Sequence, residues 1–122
     1  MRHIHWMALA GATLVAAPAV AHHSFAMFDM KKDVTVSAKV TEFRWTNPHS
    51  FMHMDVVDGQ GTTVNWAIEM TSPNNLVNGG WRRSSLKPGD PVTVTYHPLL
   101  NGKAGGSLVK VVLANGTVLE NK

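Results

Sequence analysis

Histidine is the residue type in this chain with the greatest capacity for chemistry. The chain has seven histidines and no cysteine. Five of them follow the apolar amino-terminal stretch: His22, His23, His49, His53 and His97. Neutral imidazole is a common ligand for copper and zinc. These five side chains are therefore the first candidates for a metal site, although their spacing matches no established zinc motif.

The position of His22 strengthens this candidate, because a cleavage pattern precedes it. Residues 4–20 are almost all apolar or small after a short cationic start, and the stretch closes on Ala19-Val20-Ala21, a small-x-small pattern. We predict that residues 1–21 are a secretory signal peptide and that residues 22–122 are the mature domain. Cleavage would give His22 a free α-amine. The amine, the His22 ring and a second histidine could then chelate Cu(II) as a histidine brace.

The composition limits the partners of the mature chain. The full chain has 11 Lys and Arg against 8 Asp and Glu, and the loss of Arg2 with residues 1–21 leaves a net charge of +2, which is too small to predict nucleic-acid binding. Without cysteine, the core alone must stabilise the domain in an oxidising compartment. We expect a periplasmic or secreted monomer that binds a metal ion or small ligand and keeps no membrane span after processing. A membrane-spanning helix over the apolar run is the alternative.

Glu69 and the three internal histidines are the other candidate ligands. His49 precedes a predicted strand, His53 lies within that strand, and His97 ends another. Each of these histidines could instead be a structural residue, hydrogen-bonded to nearby backbone. Glu69 could be a metal ligand, a carboxylate that orients a histidine, or an ion-pair partner of Arg82 or Arg83.

A second class of function would use aromatic side chains. Trp45, Trp81 and Tyr96 could form an exposed platform on which sugars or other small ligands stack. Trp66 alternates with two apolar neighbours, which predicts a core position instead. The chain has no Gly-x-Ser-x-Gly or phosphate-binding glycine motif. We therefore expect a binding protein without catalytic residues, and a metal-dependent enzyme stays open as an alternative.

Alternating apolar and polar residues predict the elements that hold these side chains. The patterns predict strands over residues 34–45, 51–57, 63–69, 92–97 and 107–114, with a short tail strand at 117–119. Asp58-Gly59 predicts a hairpin, and residues 101–106 a glycine-rich connection. Ser72-Pro73 predicts the start of a short helix that stops at Gly79. Residues 22–32 form an arm that Phe25, Met27 or Phe28 could anchor.

The order of these elements predicts a fold class. Three strands, a short helix and two further strands match a small all-β barrel of the oligonucleotide/oligosaccharide-binding (OB) type, which closes the sheet and removes its edges. A small β-sandwich is the alternative.

Several short motifs are found along the predicted mature chain. They are the Ala21-His22-His23-Ser24-Phe25-Ala26-Met27-Phe28-Asp29 start, Trp45-Thr46-Asn47-Pro48-His49, Trp66 with Glu69, Gly80-Trp81, Leu86-Lys87-Pro88-Gly89-Asp90 and His97-Pro98. Together these motifs resemble the DUF6152 family of small exported bacterial proteins of unknown function. The resemblance spans nearly all of the predicted mature chain. It implies an exported single domain and brings no catalytic assignment.

Overall fold

The fold is almost entirely β-structure. A computed structural model describes residues 25–122. A 3-10 turn at Phe25–Met27 precedes strands β1 to β3, the single helix α1 and strands β4 to β6. The bounds are β1 Val34–Arg44, β2 Phe51–Val57, β3 Thr63–Glu69, α1 Pro73–Asn78, β4 Pro91–Pro98, β5 Gly105–Leu113 and β6 Val118–Glu120. Within these residues no helix has the length and apolar character needed to cross a membrane.

Five of the strands form a closed barrel. The sheet order is β3-β2-β1-β4-β5-β6, and a parallel pairing of β3 with β5 closes it. This is the strand order of the OB architecture, with α1 between β3 and β4 as predicted. Strand β6 is an additional strand that pairs only with β5 among the described strands.

The core confirms the alternation that predicted the strands. Met52, Met54 and Val56 of β2 are buried, while the residues between them are half-buried on the outer face. Val94 and Tyr96 of β4 point into the same core. Because one face of each strand is buried, a register slip of one residue would expose this whole apolar set, and that specifies the register.

Helix α1 has the termini that its sequence predicts. Ser72 is the N-cap and its hydroxyl accepts a hydrogen bond from the Asn75 N–H, Pro73 is the first helical residue, and Gly79 is the C-cap. Pro73 and Leu76 are the two buried residues of this six-residue helix, so α1 packs on the barrel through these two apolar side chains.

The glycine-rich connection is shorter than predicted. Gly105 and Gly106 belong to β5, where they lie opposite Ala67 of β3 and Pro98 of β4. A β-carbon on Gly105 would lie 2.9 Å from the Ala67 carbonyl oxygen. Because only a residue without a side chain fits there, the two glycines allow the strands to close the barrel.

The hairpin between β2 and β3 is also different from the predicted Asp-Gly turn. Its loop is organised by the Asp58 carboxylate, whose Oδ1 accepts hydrogen bonds from the N–H groups of Gln60 and Thr62, both at 2.9 Å. The positive φ of 78° falls on Gly61 rather than on Gly59. The loop is therefore wider than a two-residue turn, and β2 and β3 still pair from Val57 and Thr63 onwards.

The amino-terminal arm is anchored through Phe28. This residue is buried and forms a β-bridge with Leu99 after β4. The Leu100 N–H donates to the Met27 carbonyl at 3.0 Å. Phe25 and Met27 are exposed, so of the three predicted anchors only Phe28 enters the core.

Candidate functional site

The centre of the candidate site is a pair formed by His49 and Glu69. The His49 Nδ1 contacts a carboxylate oxygen of Glu69. The Glu69 side chain is 14% exposed and that of His49 is 34% exposed. A carboxylate this enclosed needs a partner because burial of an unpaired charge is costly. Of the three roles predicted for Glu69, the structure supports the carboxylate that orients a histidine and does not pair it with Arg82 or Arg83.

The β2–β3 register brings the two residues together. Phe51 lies opposite Glu69 at the ends of the two strands, and His49 precedes Phe51 by two residues. The pairing continues past the strand ends, because Ser50 N–H donates to the Thr71 carbonyl and Met70 N–H donates to the Ser50 carbonyl. Ser50 is fully buried. His49 is therefore held directly beside an ordered backbone ladder.

The loop before His49 is ordered by its own side chains. The Thr46 hydroxyl donates to the His49 carbonyl at 3.0 Å, and the Ser50 hydroxyl donates to the Thr46 carbonyl at 3.4 Å. The Asn47–Pro48 peptide bond in this loop is cis. The two hydrogen bonds fix the direction in which the His49 side chain leaves the backbone.

A small cavity lies against the pair. Its volume is about 60 Å³, and it is lined by Phe25, Phe28, His49, Glu69, Met70, Thr71, Ser107 and Asn121. One water needs roughly 10–15 Å³ of such space. The cavity can therefore hold an ion with a few water molecules, but it is too small for a sugar ring.

The contact with Glu69 determines which nitrogen of His49 carries the proton in the neutral ring. An ionised carboxylate only accepts hydrogen bonds, so Nδ1 carries the proton and donates it to Glu69. In the neutral ring Nε2 then carries the lone pair. A carboxylate that holds Nδ1–H in this way is the usual arrangement behind a metal-binding histidine, because it fixes the tautomer and the orientation of the ring.

His53 lies apart from this pair, on the outer face of β2. It is opposite Glu42 in the β1–β2 register and beside Ala67 of β3. The hydrogen bond from Arg44 is the main reason that the pKa of Glu42 is below its ordinary value, and the nearby His53 contributes a smaller effect in the same direction. His53 therefore belongs to an exposed charged surface with Glu42 and Arg44.

His97 is directed towards the segment that precedes β1. Its Nδ1 lies 3.0 Å from the Asp33 carboxylate and 3.1 Å from the Lys32 carbonyl. The His97 side chain is only 19% exposed. These contacts give His97 a structural role, because they fasten the end of β4 to the amino-terminal arm.

The structure brings only two of the four internal candidate ligands into contact. Among residues 25–122 no three histidine, aspartate or glutamate side chains lie close enough to hold one ion. The structure brings together His49 and Glu69, but places His53 and His97 elsewhere. His22 and His23 lie outside the described residues.

The predicted aromatic platform is not formed. Trp81 and Tyr96 are 1% and 2% exposed, so neither presents a free ring face to a ligand. Trp81 fills the core below the loop after α1, and Tyr96 packs against Trp66 with ring centroids 5.4 Å apart. Trp45 alone is half-buried at the surface. Trp66 packs against the core, in agreement with its predicted position.

Sequence reasoning did not identify Asn121 and Ser107 as residues of the site. The Asn121 amide bridges the Thr71 N–H at 2.8 Å and the Leu108 carbonyl at 3.0 Å. Ser107 lies opposite both Glu69 and His97 in the sheet. No motif marks either residue, since both reach the cavity only through pairings between distant strands.

The fold and the pair together define a small OB-type barrel with a histidine–carboxylate pair at one end of β2 and β3. The chain belongs to DUF6152, a family of unknown function whose model matches residues 11–109. No curated protein and no solved structure matches the chain.

Proposed function

We propose that this protein is an exported binding protein that holds a copper or zinc ion at His49, with the amino-terminal histidines as further ligands. The observation that carries the proposal is the contact between His49 Nδ1 and the Glu69 carboxylate beside a cavity of about 60 Å³. In this arrangement Glu69 orients the ring, and Nε2 of His49 is the metal-binding atom.

Chain connectivity supports the contribution of His22 and His23. Phe25 lines the cavity beside His49. The Cα atoms of His22 and His23 can be at most about 11 Å and 7 Å from that of Phe25, because an extended chain spans no more than roughly 3.6 Å per residue. Either imidazole could therefore reach an ion at His49 without rearrangement of the barrel.

The predicted cleavage after Ala21 favours Cu(II) among the candidate ions. An α-amine and an imidazole from His22, with the imidazole of His49, supply three nitrogen ligands, and tetragonal nitrogen sets suit Cu(II). His53 and His97 have no part in this set, because His53 lies opposite Glu42 on the outer face of β2 and His97 contacts Asp33.

The test compares the chain that begins at His22 with one that keeps Ala21 in front of it. Each is titrated with Cu(II) and with Zn(II), and nitrogen coordination is followed by electron paramagnetic resonance for copper. We expect the extra alanine and His49→Ala each to weaken copper binding at least tenfold, while the control His53→Ala does not. Equal affinities for both amino termini would rule out the brace, and unchanged binding in His49→Ala would rule out the site.

A further inference from the structure

A second candidate site lies on another part of the surface, between the end of β1 and the loop that follows α1. It is an open cleft of about 640 Å³ lined by Trp45, Val77, Gly80, Arg82, Arg83 and Ser84, with the buried Trp81 at its base. Its residues are all different from those of the cavity at His49. It is large enough for a small organic molecule, since ligand pockets are typically about 300–1,000 Å³.

One side of the cleft is cationic. Arg82 and Arg83 are both exposed, and within the described part of the chain neither forms an ion pair with a carboxylate. By contrast, Arg44 is paired with Glu42 at 2.8 Å. Two adjacent guanidinium groups without carboxylate partners present many donors that match the oxygens of a phosphate group.

The cleft also has an apolar lining. Trp45 is half-buried, and its ring is held edge-on against Phe43 with centroids 5.8 Å apart. Val77 of α1 is 58% exposed on the same cleft. An indole and a valine at the surface favour a flat or compact apolar group, which can also stack between the indole and a guanidinium.

The loop that carries the arginines is ordered before any ligand arrives. The Arg82 N–H donates to the Ser85 hydroxyl at 2.8 Å, and the Ser85 N–H returns a bond to the Arg82 carbonyl at 2.9 Å. The buried Trp81 next to them donates its indole N–H to the Glu120 carbonyl at 2.8 Å. Because the loop is already ordered, ligand binding has a lower cost in conformational entropy.

We propose that this cleft binds a small organic phosphate, with the phosphate on Arg82 and Arg83 and its apolar body on Trp45 and Val77. A phosphate dianion has three acceptor oxygens and can accept hydrogen bonds from both guanidinium groups. A carboxylate has only two acceptor oxygens for the same donors. The proposal is independent of metal binding at His49.

Phenyl phosphate is the probe, and the NMR signal of the Trp45 indole N–H is the readout. Inorganic phosphate, benzoate and benzyl alcohol test the charge and the ring separately. We expect saturable binding of phenyl phosphate that is at least about tenfold tighter than that of the other three, because benzyl alcohol lacks the charge, inorganic phosphate lacks the ring and benzoate has one acceptor oxygen fewer. The double variant Arg82→Gln/Arg83→Gln should lose this binding.

The matched control is Lys31→Gln/Lys32→Gln, which removes the same charge from two adjacent exposed residues on the amino-terminal arm. It should bind phenyl phosphate as the parent protein does. Equal loss in both double variants would mean that only net charge attracts the ligand, and would overturn the proposal. Equal affinity for inorganic phosphate or benzoate, or no saturable shift of Trp45, would overturn it as well.

Discussion

Gly106 packs so closely against His97 that a β-carbon on it would lie 2.5 Å from the His97 carbonyl oxygen. The same β-carbon would lie 2.5 Å from the Tyr96 ring. Gly106 is the second residue of β5, and Gly105 beside it contacts β3. The closure of the barrel therefore depends on two residues that have no side chain.

Gly106→Ala should destabilise the protein strongly. The neighbouring atoms are a backbone carbonyl and a buried ring, so they cannot move aside cheaply, and overpacking of this kind costs about 1–3 kcal/mol or more. The measurement is the free energy of unfolding in urea. Gly59→Ala is the control, because nothing lies within 4 Å of a β-carbon at that position. Equal unfolding midpoints for the two variants would contradict this account of barrel closure.

The same glycines illustrate what the sequence could not reveal. Glycine is unfavourable in a strand by intrinsic preference, so residues 101–106 were predicted to be a connection. The reason for Gly105 and Gly106 in β5 is contact with β3 and β4, which are distant in sequence. The strands themselves were predictable because each buries one face, and this burial produces an alternation of apolar and polar residues in the sequence.

The sequence could predict the proximity of His49 and Glu69, but not the position of His97. A hairpin that pairs Val57 with Thr63 necessarily sets Phe51 opposite Glu69, so the proximity of His49 and Glu69 follows from local pairing. The position of His97 depends instead on how β4 packs against the segment before β1, where the His97 ring contacts the Asp33 carboxylate. No local pattern contains that information, so the sequence could not place His97 relative to His49.

Tyr96 should titrate abnormally. Burial raises the pKa of this phenol above its ordinary value, because the ionised form would lose its hydration. A raised folded-state pKa gives a stability contribution that is fully present below about pH 10, the unfolded value, and is lost as the pH rises through the folded pKa. Tyr96 is the only tyrosine in the chain.

Absorbance of tyrosinate therefore reports on Tyr96 alone. We expect the folded protein to ionise at a higher pH than the same chain in denaturant, with a fall in the free energy of unfolding above about pH 10. Coincident titration curves for the folded and unfolded chains would show that the phenol is hydrated in the native state.

Asn121→Ala should destabilise the carboxyl-terminal end of the barrel. The substitution removes both side-chain bonds, to the Thr71 N–H and to the Leu108 carbonyl. A part-buried donor left without its partner costs about 1–3 kcal/mol. Thermal unfolding and amide exchange at Thr71 measure the effect. Asn74→Ala is the control, since Asn74 is exposed on α1 and alanine favours a helix. Protection of the Thr71 amide that survives in Asn121→Ala would contradict the bridging role.

Glu69→Gln tests whether the carboxylate at His49 acts on a bound ion. Glutamine has the same shape and can still accept the Nδ1–H bond, but it lacks the negative charge of the orienting carboxylate. We expect copper affinity to fall by about 10- to 100-fold, as is typical for the loss of such an orienting carboxylate. The His49 ring should keep its Nδ1–H tautomer, which nitrogen NMR detects. Glu42→Gln is the matched control, because Glu42 is exposed and paired with Arg44. If Glu69 acts on the bound ion, the copper affinities of the two variants should differ, since both variants remove one negative charge and only Glu69 contacts the His49 ring. Equal affinities in the two variants would leave Glu69 with a purely structural role at the end of β3.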